Sequence, residues 1–97
     1  GQISDYQLAL TIKNELLPGM LKLQERMEKV QPPQELVSTH ETGIKMINKN
    51  VQAYSEVISA VQTRDTSKIT SANGCLSEAR ELERKYVREI QEYRKKL

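Results

Sequence analysis

The sequence predicts an all-α fold: an up-down-up antiparallel three-helix bundle with long helices, making residues 1–97 a single domain. Three observations predict it. Apolar residues recur at alternating spacings of three and four over three successive stretches, only two short breaks separate those stretches, and aromatic residues are scarce. Ninety-seven residues suit one shared core and are too few for two independent ones. Only 37% of residues are hydrophobic against 29% charged, and the aromatics are four Tyr with no Phe or Trp; the mean hydropathy is −0.64. Such a core must be thin and mostly aliphatic. That suits amphipathic helices, each giving one narrow stripe, better than a sandwich of aromatic and β-branched strands.

The first helix is expected over about residues 3–30, with Tyr6, Ala9, Lys13, Leu16, Met20, Leu23, Met27 and Val30 as its inner stripe and Lys13 as the charged misfit. Pro18-Gly19 lies inside it. A proline there cannot donate to the carbonyl of Asn14 and its ring crowds that carbonyl, so a kink is expected between Asn14 and Pro18. Counting by sevens puts Pro18 on the outer face, so the stripe can continue past it. The second helix, about 33–63, carries the cleanest signal: Val37, His40, Ile44, Ile47, Val51, Tyr54, Ile58 and Val61 hold an unbroken heptad over four repeats. It follows VQPPQELVSTH, which reads as a corner. Pro33 at the first helical position loses no hydrogen bond, Pro32 before it stays extended, and Glu35 sits where the helix dipole favours a carboxylate.

The third helix, about 67–96, repeats the stripe with Ile69, Ala72, Leu76, Ala79, Glu83, Tyr86, Ile90, Tyr93 and Leu97, Glu83 being its one charge. Asp65, Thr66 and Ser67 are all competent N-caps, while Asn73-Gly74 weakens the start, so fraying up to Ala72 is expected. Helices of this length run about 40 Å, none can bury its stripe alone, and short connections force antiparallel neighbours. A helical hairpin that dimerises would use the same periodicity. A monomer or weak homodimer is the expected state.

Charge excludes more than it includes. The formal net charge is +2, so neither nucleic acid nor an anionic membrane is an expected partner. The last third is nevertheless basic, with eight Lys or Arg against five Glu over residues 66–97. No apolar run reaches the roughly 20 residues of a membrane span. Gly1 in place of a Met reads as the remnant of a removed tag, with a natural leader trimmed upstream. The single cysteine, Cys75, excludes an internal disulfide framework.

Few residues suggest chemistry. His40, the only histidine, is expected to face the core two turns from the corner, where Tyr86, Glu89 or Tyr93 could satisfy its imidazole. A buried, hydrogen-bonded role is favoured over a ligand. HETGI resembles half of HExxH, but Ile44 stands where the second His must be, so no metal site is expected. Lys13 and Glu83 complete the candidate polar core of His40, Tyr86, Tyr93, Glu83 and Lys13; they lie roughly 10 Å apart along the helices, too far to pair. Cys75 is read as a small hydrophobe, and no cofactor is expected. Arg80, Arg84 and Arg88 form an i, i+4 ridge, the candidate interaction surface, with Glu81 to Lys85 and Glu92 to Lys96 as expected helix pairs. The second helix offers an uncharged face of Ser38, Thr39, Thr42, Asn48, Asn50, Gln52, Ser55, Ser59 and Gln62, a plausible contact patch.

Pro18, Pro32-Pro33, Glu35-Leu36, His40, Tyr54 and then Asp65 before an alanine-containing last helix resemble small extracytoplasmic, lipoprotein-like all-helical domains of Gram-positive bacteria, over nearly the whole chain. The resemblance implies a secreted or lipid-anchored setting and a three-helix fold, and brings no activity, cofactor or catalytic residue with it. Length and helix count also resemble a spectrin-type repeat, in architecture alone because the expected Trp is absent. The functional expectation is a non-catalytic extracytoplasmic module that contacts an unknown protein or cell-envelope component. The alternative is a small ligand-binding or enzymatic domain with a pocket near His40, Tyr86 and Tyr93.

Overall fold

The computed structural model describes residues 5–97. Gly1 and the first residues of the predicted first helix lie outside it, as does the side chain of Tyr6. The chain folds as α1 (Asp5–Thr11), a π-helical turn (Ile12–Leu16), α2 (Leu17–Lys29), a 3₁₀ turn (Gln34–Leu36), α3 (Val37–Thr63) and α4 (Ser67–Lys95). The first three elements run on without a break as one rod, so the molecule is an all-α bundle of three long helices. It measures 49 × 25 × 22 Å.

The disturbance expected before Pro18 takes the form of the π turn. The Leu17 amide donates to the Ile12 carbonyl, five residues back, and Pro18 sits in the first turn of α2. A wider turn gives the proline ring the room that an α-turn denies it. The extra residue rotates everything that follows. Inward positions run Ala9, Ile12, Leu17, Met20, Gln24 and Met27, whereas Lys13, Leu16 and Leu23 are exposed. The predicted stripe is therefore corrected by one residue on either side of the turn, and Lys13 leaves the core. Pro18→Ala is expected to let the rod close into a continuous α-helix, swing Leu16 and Leu23 inward, and raise stability by about 1 kcal/mol. A drop in thermal midpoint would show that packing, not the proline, sets the π turn.

The corner is longer than predicted. Pro33 keeps an extended ψ of 153°, and its carbonyl accepts from the Leu36 amide at 2.9 Å, so α3 begins at Val37 rather than at Pro33. At the other end Arg64 adopts the left-handed conformation, φ 56°, and the Asp65 amide donates back to the Ala60 carbonyl at 3.1 Å, closing α3 with a Schellman-type bond. The Asp65 carboxylate then accepts from the Ser67 amide at 3.0 Å and its hydroxyl at 2.6 Å. Those two bonds hold Asp65 below the usual carboxylate range and start α4 firmly. Helix α4 is continuous from Ser67 through Asn73-Gly74, so the expected fraying is absent.

Cross-links between α3 and α4 fix an antiparallel register: Thr39 with Glu89, Lys49 with Glu78, Glu56 with Ser71, and Ser59 with Lys68. The rod runs antiparallel to α3 as well, since Gln24 donates to Asn48 and Met27 lies against Gly43. Helix α3 is thus central. No Cα of the rod comes within 8 Å of a Cα of α4.

The α3–α4 seam is built of small residues. Ala53 and Ala60, seven apart, and Ala72 and Ala79, seven apart, are buried together with Cys75. Among the described residues, Ile47 is the one large side chain that is fully buried. Small side chains let the two backbones approach closely, and dispersion contacts replace bulk. In α4 the inner line is Ala72, Cys75, Ala79, Leu82, Tyr86, Glu89 and Tyr93, flanked by the predicted Leu76 and Ile90, which are half-buried. Leu76 packs against Ala53, Ala72 and Cys75, whereas the predicted Glu83 is exposed. The thin aliphatic core is as expected.

Candidate functional site

Each predicted site residue has a definite place. His40 and Tyr86 line one recess with Met27, Val30, Leu36 and Ile90, at the end of the bundle where the PPQE corner closes. Tyr93 lines a different recess, with Glu35, Glu89 and Lys96. Lys13 and Glu83 stand in solvent. The candidate polar core is therefore not one cluster.

His40 is half-buried, and none of the described residues hydrogen-bonds to it. No polar side-chain atom among the described residues is both buried and without a partner, so its ring nitrogens reach solvent. The helix-to-helix polar contact falls one residue earlier: the Thr39 hydroxyl donates to the Glu89 carboxylate at 2.6 Å. The expected imidazole bond to Tyr86, Glu89 or Tyr93 is absent. A solvated imidazole of this kind contributes little, so His40→Leu is expected to change the unfolding free energy by less than about 0.5 kcal/mol. A loss above about 2 kcal/mol in a urea titration would reveal a buried bond that this geometry does not contain.

The middle of the α3–α4 seam has a polar edge. The Glu56 carboxylate accepts from the Ser71 hydroxyl at 3.0 Å, and the Cys75 thiol lies 4.0 Å from its other oxygen. Lys49 pairs with Glu78 at 2.8 Å. Burial pushes the Cys75 thiol up, the Glu56 charge adds to the shift, and Lys49 opposes it. A thiol held neutral is a poor nucleophile. The sign of its pH effect follows from linkage: the unfolded chain loses this proton first, so stability falls as pH rises past the ordinary thiol range. The urea midpoint is expected to fall further between pH 8 and 10 in the parent than in Cys75→Ala. Equal shifts would show that the thiol is not protected.

The uncharged face of α3 is divided by the fold. Thr39 and Thr42 are buried; the Thr42 hydroxyl donates to the Ser38 carbonyl at 3.2 Å. Asn50 and Ser59 are half-buried, leaving Ser38, Asn48, Gln52, Ser55 and Gln62 exposed. Part of the predicted patch is thus used inside the bundle.

The arginine ridge is outward. Arg80, Arg84 and Arg88 border a surface dip with Glu83, Val87 and Gln91. Among the described residues the ion pairs are Lys29–Glu25, Lys49–Glu78 and Lys85–Glu89, so none of the three arginines has a carboxylate partner. The expected Glu81 to Lys85 and Glu92 to Lys96 pairs do not form, and Lys85 reaches Glu89 at 3.9 Å instead.

Sequence reasoning missed the open seam between the rod and α4. Leu8, Leu16, Leu23 and Val30 on the rod, and Ile69 and Val87 on α4, remain exposed, Val30 by 52%, Val87 by 44% and Leu23 by 42%. Leu8 and Ile69 line one end of the seam with Val57, Val61 and Arg64; Val30 and Ile90 line the other. Leu16, Leu23 and Val30, spaced by seven, were legible as a stripe, but only the π turn shows that it does not point at α3.

No described helix is long and apolar enough to cross a membrane. Comparison with models of known protein families, with curated proteins and with solved structures finds no match.

Proposed function

We propose that this chain is a non-catalytic helical interaction module, held on the outer side of a bacterial membrane, that binds another protein or an envelope component. The observation that carries the reading is the open seam: two walls of half-covered leucine, isoleucine and valine, with no helix of the bundle closing them. Exposed apolar side chains gathered along the groove between two helices mark a candidate interaction site. The resemblance stated above supports the extracytoplasmic setting.

A photo-crosslinking residue at position 23 in the seam, compared with one at outward-facing Lys22, tests the interaction in the native host. An adduct of one defined mass from position 23 alone is the expected result; equal yields from both positions would sink it. Location has a separate test. Cys75 is buried, so a cysteine introduced at exposed Gln91 should be the main site taking a membrane-impermeant maleimide in intact cells. Labelling only after lysis would place the chain inside.

The recess shared by His40 and Tyr86 supports a second reading, a small ligand-binding or enzymatic domain. It is shallow and its lining is chiefly apolar, unlike the enclosed pockets that bury most of a ligand, so it ranks second. Amide shifts confined to His40 and Tyr86 in a small-molecule screen would promote it.

A further inference from the structure

Resting on the interaction reading, we propose that the seam between the rod and α4 receives a single acidic amphipathic helix from a partner protein. Its apolar stripe lies along Leu16, Leu23, Val30 and Val87, and its carboxylates meet the arginines on the rims.

The apolar part follows from spacing. Leu16, Leu23 and Val30 are seven residues apart, two helical turns each, and together span about 21 Å. A packing helix needs that repeat to keep its own stripe in register, so the occupant presents about four turns. The floor is ready for it, because Val57 and Val61 of α3 already line the seam's lower end beside Leu8 and Ile69.

The acidic part follows from charge. Of six arginines in the chain, Arg64 lines the lower recess, Arg80, Arg84 and Arg88 border Val87, and Arg26 stands three residues after Leu23 on the same face of α2. None of these five has an ion-pair partner among the described residues. Guanidinium groups along an apolar seam favour carboxylates that can be held bidentately as water leaves. The opposing charges are Glu83, exposed between Arg80 and Arg84, Asp65 beside Arg64 in the lower recess, and Glu25 next to Arg26, so arginines outnumber carboxylates along the seam. Nucleic acid fits less well, since among the described side chains the rim has no exposed aromatic residue on which a base could stack. A second copy of this chain fits less well too. Its most exposed helix, α2, carries Lys22, Arg26 and Lys29 among Glu25 and Glu28, and so brings more cations than anions to a basic rim.

The test uses the intact chain and two synthetic three-heptad peptides with Leu at the a and d positions, one flanked by Glu and one by Lys. Fluorescence anisotropy should show binding of the Glu peptide, weakening with salt, and at least about tenfold weaker binding of the Lys peptide. Amide shifts should centre on Leu16, Leu23 and Val87. Arg80→Glu/Arg84→Glu should weaken the Glu peptide about tenfold or more, while Glu83→Gln should tighten it by about two- to threefold. All three positions are exposed, and far-UV dichroism confirms that the variants stay folded. Equal affinity for the two peptides, indifference to charge reversal, shifts remote from the seam, or preference for anionic vesicles or RNA would each overturn the proposal. So would sedimentation showing a dimer that covers Leu23. If the crosslinker at position 23 finds a partner while the peptides are not discriminated, the interaction reading stands and the acidic helix falls.

Discussion

Ile47→Ala is expected to lower the unfolding free energy by about 3 kcal/mol and the thermal midpoint by about 15 °C. Among the described residues Ile47 is the one large side chain that is fully buried, 2% exposed, and the other buried residues are mainly alanines and threonines. Alanines on rigid helices have no side-chain freedom with which to refill the space, so a cavity remains and its cost adds to the lost transfer energy. A total stability of 5–15 kcal/mol is usual for a domain, which makes this one truncation a large share. Leu97→Ala is the control. Leu97 is 89% exposed, and its loss should change little. A small effect at Ile47, below about 1 kcal/mol, would mean that the surrounding helices close up to refill the space it leaves.

The second large effect comes from making one substitution at two glycines. A Cβ on Gly43 would lie 2.9 Å from the Met27 methyl and 2.9 Å from the edge of the Tyr86 ring. The methyl can swing aside; the ring is held between α3 and its own helix. Gly43→Ala gains about 1 kcal/mol of helix propensity but must open the place where rod, α3 and α4 come together, and overpacking of that kind costs about 1–3 kcal/mol. A net loss of about 1 kcal/mol is expected, and a loss several times larger for Gly43→Leu. Gly74→Ala meets nothing within 4 Å and should gain about 0.5–1 kcal/mol. Opposite signs in paired urea titrations are the expected result. If both variants are stabilised, Tyr86 does not rest on Gly43.

The fold class and approximate helix spans were legible because a period of 3.5 residues maintained for four repeats marks a helix packed along one face, and the antiparallel order because the connections are short. Phase was harder to read. In α4 two lines one residue apart both satisfy spacings of three and four and both are largely covered in the bundle; weighting by hydrophobicity finds Leu76 and Ile90 but passes over Cys75 and Glu89. The seam instead requires residues small enough for close backbone approach. The alanine pairs at 53 and 60, and at 72 and 79, carried that signal. In the rod, Pro18 announced a disturbance but not its size, and one additional residue per turn is enough to exchange Leu23 for Gln24. For the candidate site, the arginine ridge was visible at once from i, i+4 spacing. The open seam was not, because exposure of Leu16 and Leu23 depends on the π turn.

The lack of backbone approach between the rod and α4 also sets an order of assembly. Helices α3 and α4 are joined by a tight turn and share nearly all the deeply buried residues, so their pairing closes a short loop and forms early. The rod, with nothing fully buried in α2, can add afterwards and leave first. Native-state hydrogen exchange should accordingly divide the chain into two layers, with amides of Leu17–Lys29 opening by a low-energy route and those around Ala53 and Ala72 surrendering their protons only when the whole molecule unfolds.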